Sequence, residues 1–201
     1  MKAILLLSLL FFNGNAEIPE ILTQARKAIS QGLPLRAHFV QQALIDGEVE
    51  LQEEGGILIA DPDRIKMSYL DPEQKTLVID RTDYLFYQPE LNQAIRGKIG
   101  WAIQETIWQV LFADHPVSTV ESDGDRQKLL VRMTESSREL NFEVSFDADF
   151  LPSKVRQFDD SGLETIFIFS SYILRVKLQP DDLSLSLPEG TEIIEQDEEY
   201  N

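Results

Sequence analysis

Leu140, Phe142, Val144 and Phe146 stand at every second position, with polar residues between them. The same alternation runs through Ile57, Ile59, Ile65, Met67 and Tyr69, against Arg64, Lys66 and Ser68. A period of two belongs to a strand with one apolar face and one wet face. Enough segments share it to commit the chain to an antiparallel sheet with one greasy side. Such a sheet cannot bury both faces alone. Its inward face must meet helices, another sheet or a ligand.

Strands are expected at residues 36–44, 48–52 leading into Gly55-Gly56, 57–69, 76–80, 84–88, 118–122, 129–134, 139–146, 155–158 and 165–170. Val176 and residues 183–187 are expected to close the sheet, giving ten or eleven strands. Gly47 marks a turn, Pro62 a bend or bulge, and Arg81-Thr82-Asp83 a hairpin. Residues 165–170 are apolar on both parities, which predicts a strand covered on both faces. Helical spacing appears twice. Ile18, Ile21, Leu22, Ala25, Ala28 and Ile29 mark residues 18–31, stopped by Gly32 and Pro34. Residues 99–113 carry Trp101, Ile107, Trp108, Leu111 and Phe112 as bulky apolar groups. The fold class is mainly β (α+β): a strongly curved sheet with helices on its concave side.

The start of the chain reads as a secretory leader. Lys2 is followed by a short apolar stretch, then by the small residues Gly14 and Ala16 before Glu17. That stretch is too short to span a bilayer, which takes roughly 20 apolar residues. The reading is residues 1–16 as a cleaved leader, 17–194 as one domain and 195–201 as an acidic tail. With no cysteine in 201 residues, no disulfide is needed and no lipid anchor follows the leader. An exported chain of this kind fits the bacterial periplasm. The net charge of −17 argues against nucleic acid, which needs a basic patch. It argues equally against stable insertion into anionic membrane.

Catalytic sets are missing from the pattern. There is no G-x-S-x-G elbow, no phosphate loop and no dinucleotide fingerprint. His38 and His115 lack ligand-spaced partners, and surface histidines are the plain reading. Asp159-Asp160-Ser161-Gly162 and Asp71-Pro72-Glu73 read as turns. No catalytic residue, cofactor or metal is therefore expected.

What remains is apolar surface. Phe39, Ile57, Ile59, Ile65, Met67, Tyr69, Phe86, Leu140, Phe142, Val144 and Phe146 can share one concave side. Trp101 and Trp108 of the second helical segment extend that lining. The simpler reading of such residues is a plain core; the other is a cavity for something hydrophobic. Asp61 breaks the pattern, since it has the inward parity of Ile57 and Ile59. Either the Pro62 bend turns it to the rim, or it needs a cation. Arg96 and Lys98, or Arg26 and Lys27, are the candidates.

The order of short segments resembles the LolA family of periplasmic lipoprotein carriers over nearly all of the mature chain. The segments are Phe39-Val40-Gln41, Gly55-Gly56-Ile57-Leu58-Ile59, Asp61-Pro62-Asp63-Arg64-Ile65 and Leu77-Val78-Ile79-Asp80. Leu85-Phe86-Tyr87-Gln88-Pro89 and Leu91-Asn92-Gln93-Ala94 follow, with Asp159-Asp160-Ser161-Gly162 and Leu187-Pro188-Glu189-Gly190-Thr191 near the end. The resemblance implies an unclosed β-barrel whose concave face is covered by a lid of helices. It implies acylated lipoproteins as cargo, the inner-membrane ABC transporter LolCDE as donor and the outer-membrane receptor LolB as acceptor. It also implies a monomer in the periplasm of a Gram-negative bacterium, and no enzyme. The family's arginine before the proline is Asp61 here, its cavity phenylalanine is Ile65 and its tryptophan is Met67. A charge-swapped lid latch from Asp61 to Arg96 or Lys98 is the expectation that follows. Two other classes compete: a periplasmic regulatory domain of the same fold that binds another lipid or a protein segment, and a lipid hydrolase. The hydrolase lacks an activated nucleophile.

Overall fold

The computed structural model describes residues 20–98, 111, 119–122, 128–135, 138–158 and 161–196. The expected leader, residues 1–16, lies outside the described residues. So does the expected helix at 99–113, except for Leu111.

Helix α1 (Glu20–Gly32) opens the described chain. Leu22, Ala25, Ile29 and Gly32 form its buried stripe, at the spacing that keeps one helix face inward. Glu20 sits in its first turn, where a carboxylate complements the exposed N–H groups. The backbone N–H of Leu33 bonds to Ile29 O at 3.0 Å and ends it.

Among the described residues eleven strands then follow in order. They are β1 (Leu35–Ile45), β2 (Glu48–Asp61), β3 (Arg64–Asp71), β4 (Lys75–Asp80), β5 (Asp83–Gln88) and β6 (Gln93–Lys98), then β7 (Thr119–Ser122), β8 (Lys128–Glu135), β9 (Arg138–Phe146), β10 (Pro152–Phe158) and β11 (Leu163–Leu174). A last strand, β12 (Glu192–Gln196), completes one twelve-stranded sheet. Its order is β12-β6-β5-β4-β3-β2-β1-β11-β10-β9-β8-β7. Every pairing is antiparallel except β12 with β6. The two ends of the order, β12 and β7, stay apart, so the sheet is curved and unclosed.

Local chemistry sets the hairpins. Asp46 and Gly47 both take positive φ, 51° and 85°, which a two-residue turn between right-twisted strands requires. Pro62 and Asp63 form the turn between β2 and β3, so the 57–69 stretch is two strands folded back on each other. Register carries Ile59 opposite Ile65 and Ile57 opposite Met67. The alternation read from the sequence therefore survives, but it belongs to both arms of a hairpin.

Three further expectations are corrected. Residues 183–187 are not a strand. After β11 the backbone N–H groups of Arg175 and Val176 bond to Gly32 O and Pro34 O at 2.7 and 2.8 Å. The chain then crosses the back of the sheet, held by Lys66 Nζ on Ser184 O at 2.8 Å and by Arg36 on Asp182 at 3.1 Å. The alternating leucines Leu183, Leu185 and Leu187 are half-buried in this strap. The closing strand is β12 instead, which takes in Glu195 and Gln196 from the stretch read as acidic tail. Finally, residues 165–170 are covered on both faces only in part: Ile166 is buried, while Ile168 on the same side is 40% exposed.

Candidate functional site

Register places the apolar residues in continuous rows across the concave face. Ala37, Ile57, Met67, Leu77, Phe86 and Ile95 form one row from β1 to β6. Leu35, Ile59, Ile65, Ile79 and Tyr84 form the next. On the other wing Phe167, Val155, Val144 and Leu129 line up across β11, β10, β9 and β8. Directly opposite residues on neighbouring strands point to the same side. Their shared side is the one against which Leu22, Ala25 and Ile29 of α1 pack.

The structure thus brings together Phe39, Ile57, Ile59, Ile65, Met67, Phe142, Val144 and Phe146, all buried, with Tyr69 and Phe86 half-buried at the margin. Leu140 is placed in β9 by its backbone and its side chain lies outside the described ones. Trp101 and Trp108 also lie outside the described residues. Phe167 and Phe169 were missed as site residues. Their rings stack at 5.9 Å and 7°, and Phe167 tilts against Phe39 at 6.2 Å. Their signal was present: Phe169 pairs with Phe39 and Phe167 with Gln41, a relation that no single strand discloses.

The residues of this floor, Phe39, Ile57 and Ile59 among them, are buried. Arg26 Nε bonds to Leu111 O at 3.1 Å, and the buried stripe of α1 joins the rows of both wings in one apolar cluster.

The concave face also carries a polar station. Tyr69 donates its hydroxyl to Gln41 Oε1 at 2.9 Å. Lys75 Nζ contacts Glu53 Oε1 at 2.6 Å, with side chains only 17% and 8% exposed. Register puts these groups on the apolar side, because Phe39, Gly55, Tyr69 and Lys75 form one row and Gln41 lies opposite Glu53. Burial, then the nearby Glu53 charge, pushes the Tyr69 hydroxyl up from its ordinary value. The hydrogen bond to Glu53 raises the Lys75 ammonium. Both groups keep their protons through the physiological range.

The expected latch is not formed. A register shift between Ile59 and Asp61 pairs Asp61 with Arg64, whose side lies opposite that of Ile65. Asp61 therefore leaves the apolar face. Its Oδ2 accepts from Arg64 Nε at 2.7 Å, and its Oδ1 caps the Asp63 N–H at 3.1 Å. Arg96 lies 3.5 Å from Glu195 and Lys98 lies 2.6 Å from Asp83. Among the described residues Asp61 pairs with Arg64, inside its own turn, and not with Arg26 or Lys27 of α1.

His38 faces the back of the sheet opposite Gly56, 3.9 Å from Glu54. His115 lies outside the described residues. Among the described residues no group of three or more His, Asp or Glu side chains is arranged to hold a metal. On the back, a cavity of about 330 Å³ lies between the sheet and the strap, lined by Arg36, Gly56, Lys66, Ser68 and Asp182 among others.

A family model described as outer membrane lipoprotein carrier protein LolA matches residues 33–183. An outer-membrane lipoprotein carrier protein of Vibrio parahaemolyticus is 27% identical over 205 residues, covering 96% of this chain and 93% of that one. One from Methylibium petroleiphilum is 26% identical, covering 80% and 82%. Among solved structures, an uncharacterized conserved protein from Thermus thermophilus superposes with a TM-score of 0.54 at 14% identity, covering 88% and 98%. A LolA superfamily protein from Nitrosomonas europaea gives 0.50 at 13%, covering 83% and 96%. At these identities the two structures speak for the fold alone.

Proposed function

Since the chain belongs to the LolA family, outer membrane lipoprotein carrier proteins, we propose that it shields the acyl chains of lipoproteins and shuttles them across the periplasm of a Gram-negative bacterium. The donor in this reading is LolCDE in the inner membrane and the acceptor is LolB at the outer membrane. The protein works as a monomer and breaks no bond.

The observation that carries the reading is an unclosed sheet whose apolar rows meet the buried stripe of one helix, α1. Leu22, Ala25 and Ile29 are the buried apolar groups of α1. Burying two such large side chains stabilises the closed form by roughly 3–6 kcal/mol. Each acyl methylene withdrawn from water contributes about 0.8 kcal/mol, so one sixteen-carbon chain supplies on the order of 10 kcal/mol. Cargo can therefore drive α1 off the floor and take its place, as a differential affinity for the open form requires. Release then calls for a second hydrophobic cavity, which is the part assigned to LolB.

The test is purification from the native periplasm followed by mass spectrometry of what leaves with the protein. Triacylated lipoprotein supports the carrier. A protein segment without lipid would replace it with the regulatory reading, and turnover of an ester substrate would replace it with a hydrolase.

A further inference from the structure

A buried ion pair on an apolar floor adds little to stability. Apolar residues of similar volume commonly do as well or better, because two charges lose their hydration for one contact. Yet Glu53 and Lys75 stand 2.6 Å apart on this face, and the Tyr69–Gln41 bond stands beside them. Their place along the strands is informative. On one side lies the enclosed aromatic group, with Tyr69 edge-on to Phe39 at 5.1 Å. On the other side the same face continues to Leu51, Ile45 and Leu163, which are 43%, 49% and 52% exposed. Register keeps these three on the concave side, since Leu51 lies opposite Ala43 and Leu163 opposite Ile45. The order along the face is closed apolar floor, polar station, open apolar lip.

We propose that Gln41, Glu53, Tyr69 and Lys75 form the subsite for the ester or amide junction where an acyl chain meets its head. The proposal rests on the carrier reading and specifies how cargo is set in the hollow. Tyr69 and Lys75 donate to junction carbonyls. Glu53 accepts from an amide N–H. The tails run from the station toward Phe39 and Phe169, and the head leaves past the open lip. A few placed polar groups in an apolar site fix ligand orientation in this way. The station also sets a register: chains bind with their junction at one depth, so the head always faces the exit.

The test compares three ligands on the full mature chain: a tripalmitoylated cysteinyl lipopeptide, dipalmitoyl phosphatidylglycerol, and N-phenyl-1-naphthylamine, which has no carbonyl. Each is measured on the wild type and on Tyr69→Phe, Gln41→Leu and the double variant Glu53→Leu/Lys75→Met. The double variant removes both charges together, so neither is left buried alone; thermal unfolding checks that each variant folds. The expected result is a fall of about tenfold per variant in the affinity ratio of an acyl ligand to the naphthylamine, the loss of one hydrogen bond. A fall for the lipopeptide alone identifies the amide of an acylated cysteine as the source; a fall for both identifies the esters. An unchanged ratio in all three variants overturns the subsite while leaving the carrier intact. Failure of the wild type to bind either acyl ligand overturns the carrier reading, and the subsite with it.

Discussion

The rings of Phe39 and Tyr69 meet edge-on at 5.1 Å across an intervening strand. Between them stands Gly55, opposite Phe39 on one side and Tyr69 on the other. A side chain there would separate the rings. It would also have no room, since a Cβ on Gly55 would lie 2.1 Å from Ser68 O. Gly56 is different: its nearest neighbour to a Cβ is Ala37 O at 4.0 Å. Gly55→Ala is expected to lower unfolding free energy by at least about 3 kcal/mol, while Gly56→Ala stays within about 0.5 kcal/mol. Chemical denaturation of the two variants checks this. Equal effects would mean that the β2–β3 bulge relaxes freely around a methyl group.

Ile29 is fully buried in the stripe that seats α1. Ile29→Ala should weaken that seat by about 2–5 kcal/mol. If α1 is the cover, its amides exchange hydrogen faster in the variant, and an apolar fluorophore enters faster. Slower exchange in α1 than in β2 in both proteins, with entry unaltered, would remove α1 from the gating role.

Asp61 has its partner inside its own turn. Asp61→Asn keeps the cap on Asp63 and weakens only the exposed bond to Arg64. The unfolding midpoint and the rate of ligand release should therefore stay close to wild type. A faster release would revive a latch through this residue.

That correction shows what alternation can tell. Ile57, Ile59, Ile65, Met67 and Tyr69 were legible as one face because strand parity is a local property. For Asp61 parity leaves two readings open, a turn toward the rim or a paired place on that face, since one extra residue at a bulge reverses parity; the register takes it off the face. Residues 165–170 were apolar on both parities, and parity carries no information about what covers the second face. Leu183, Leu185 and Leu187 alternate as a strand would, but half-buried residues of a strap packed on a sheet alternate too. The polar station was invisible for a further reason. Gln41, Glu53, Tyr69 and Lys75 come from four segments, and only register brings them together.

Arg156 clamps Glu164 with two bonds, Nε to Oε2 at 2.8 Å and Nη2 to Oε1 at 2.6 Å. Its guanidinium also sits over the Phe158 ring at 4.4 Å. The clamp holds the Glu164 carboxyl below its ordinary value of 4.5. A carboxyl more acidic in the folded chain than in the unfolded one stabilises the fold above the ordinary value. That contribution is lost as pH falls through the lower, folded value. The stability difference between wild type and Glu164→Gln should thus be full at neutral pH and shrink below about 4.5. Urea midpoints at several acidic pH values measure it. A difference that grows on acidification would contradict the sign.

The sheet's last edge is guarded by a strand with little hold of its own. All five residues of β12 are exposed. What fixes it is polar: Gln93 Nε2 to Glu192 at 2.9 Å, Arg96 to Glu195 at 3.5 Å, and the Tyr84 hydroxyl to the Gln196 side chain. Asn92 adds a bond to Gly190 O at 2.9 Å just before the strand. Removing residues 191–201 takes away all but the last of these and leaves the outer edge of β6 unpaired. An unpaired edge is a template for a strand from another copy. Arg96 and Lys98 remain as charges against such pairing, but Glu195 no longer neutralises Arg96. The chain from Glu17 to Asn201 is expected to run as a monomer in light scattering at all concentrations. The truncated chain is expected to dimerise as concentration rises, with only a small loss of thermal stability because β12 buries so little. A truncated chain that stays monomeric throughout would mean that the two cations suffice to protect β6, and that β12 serves some other end.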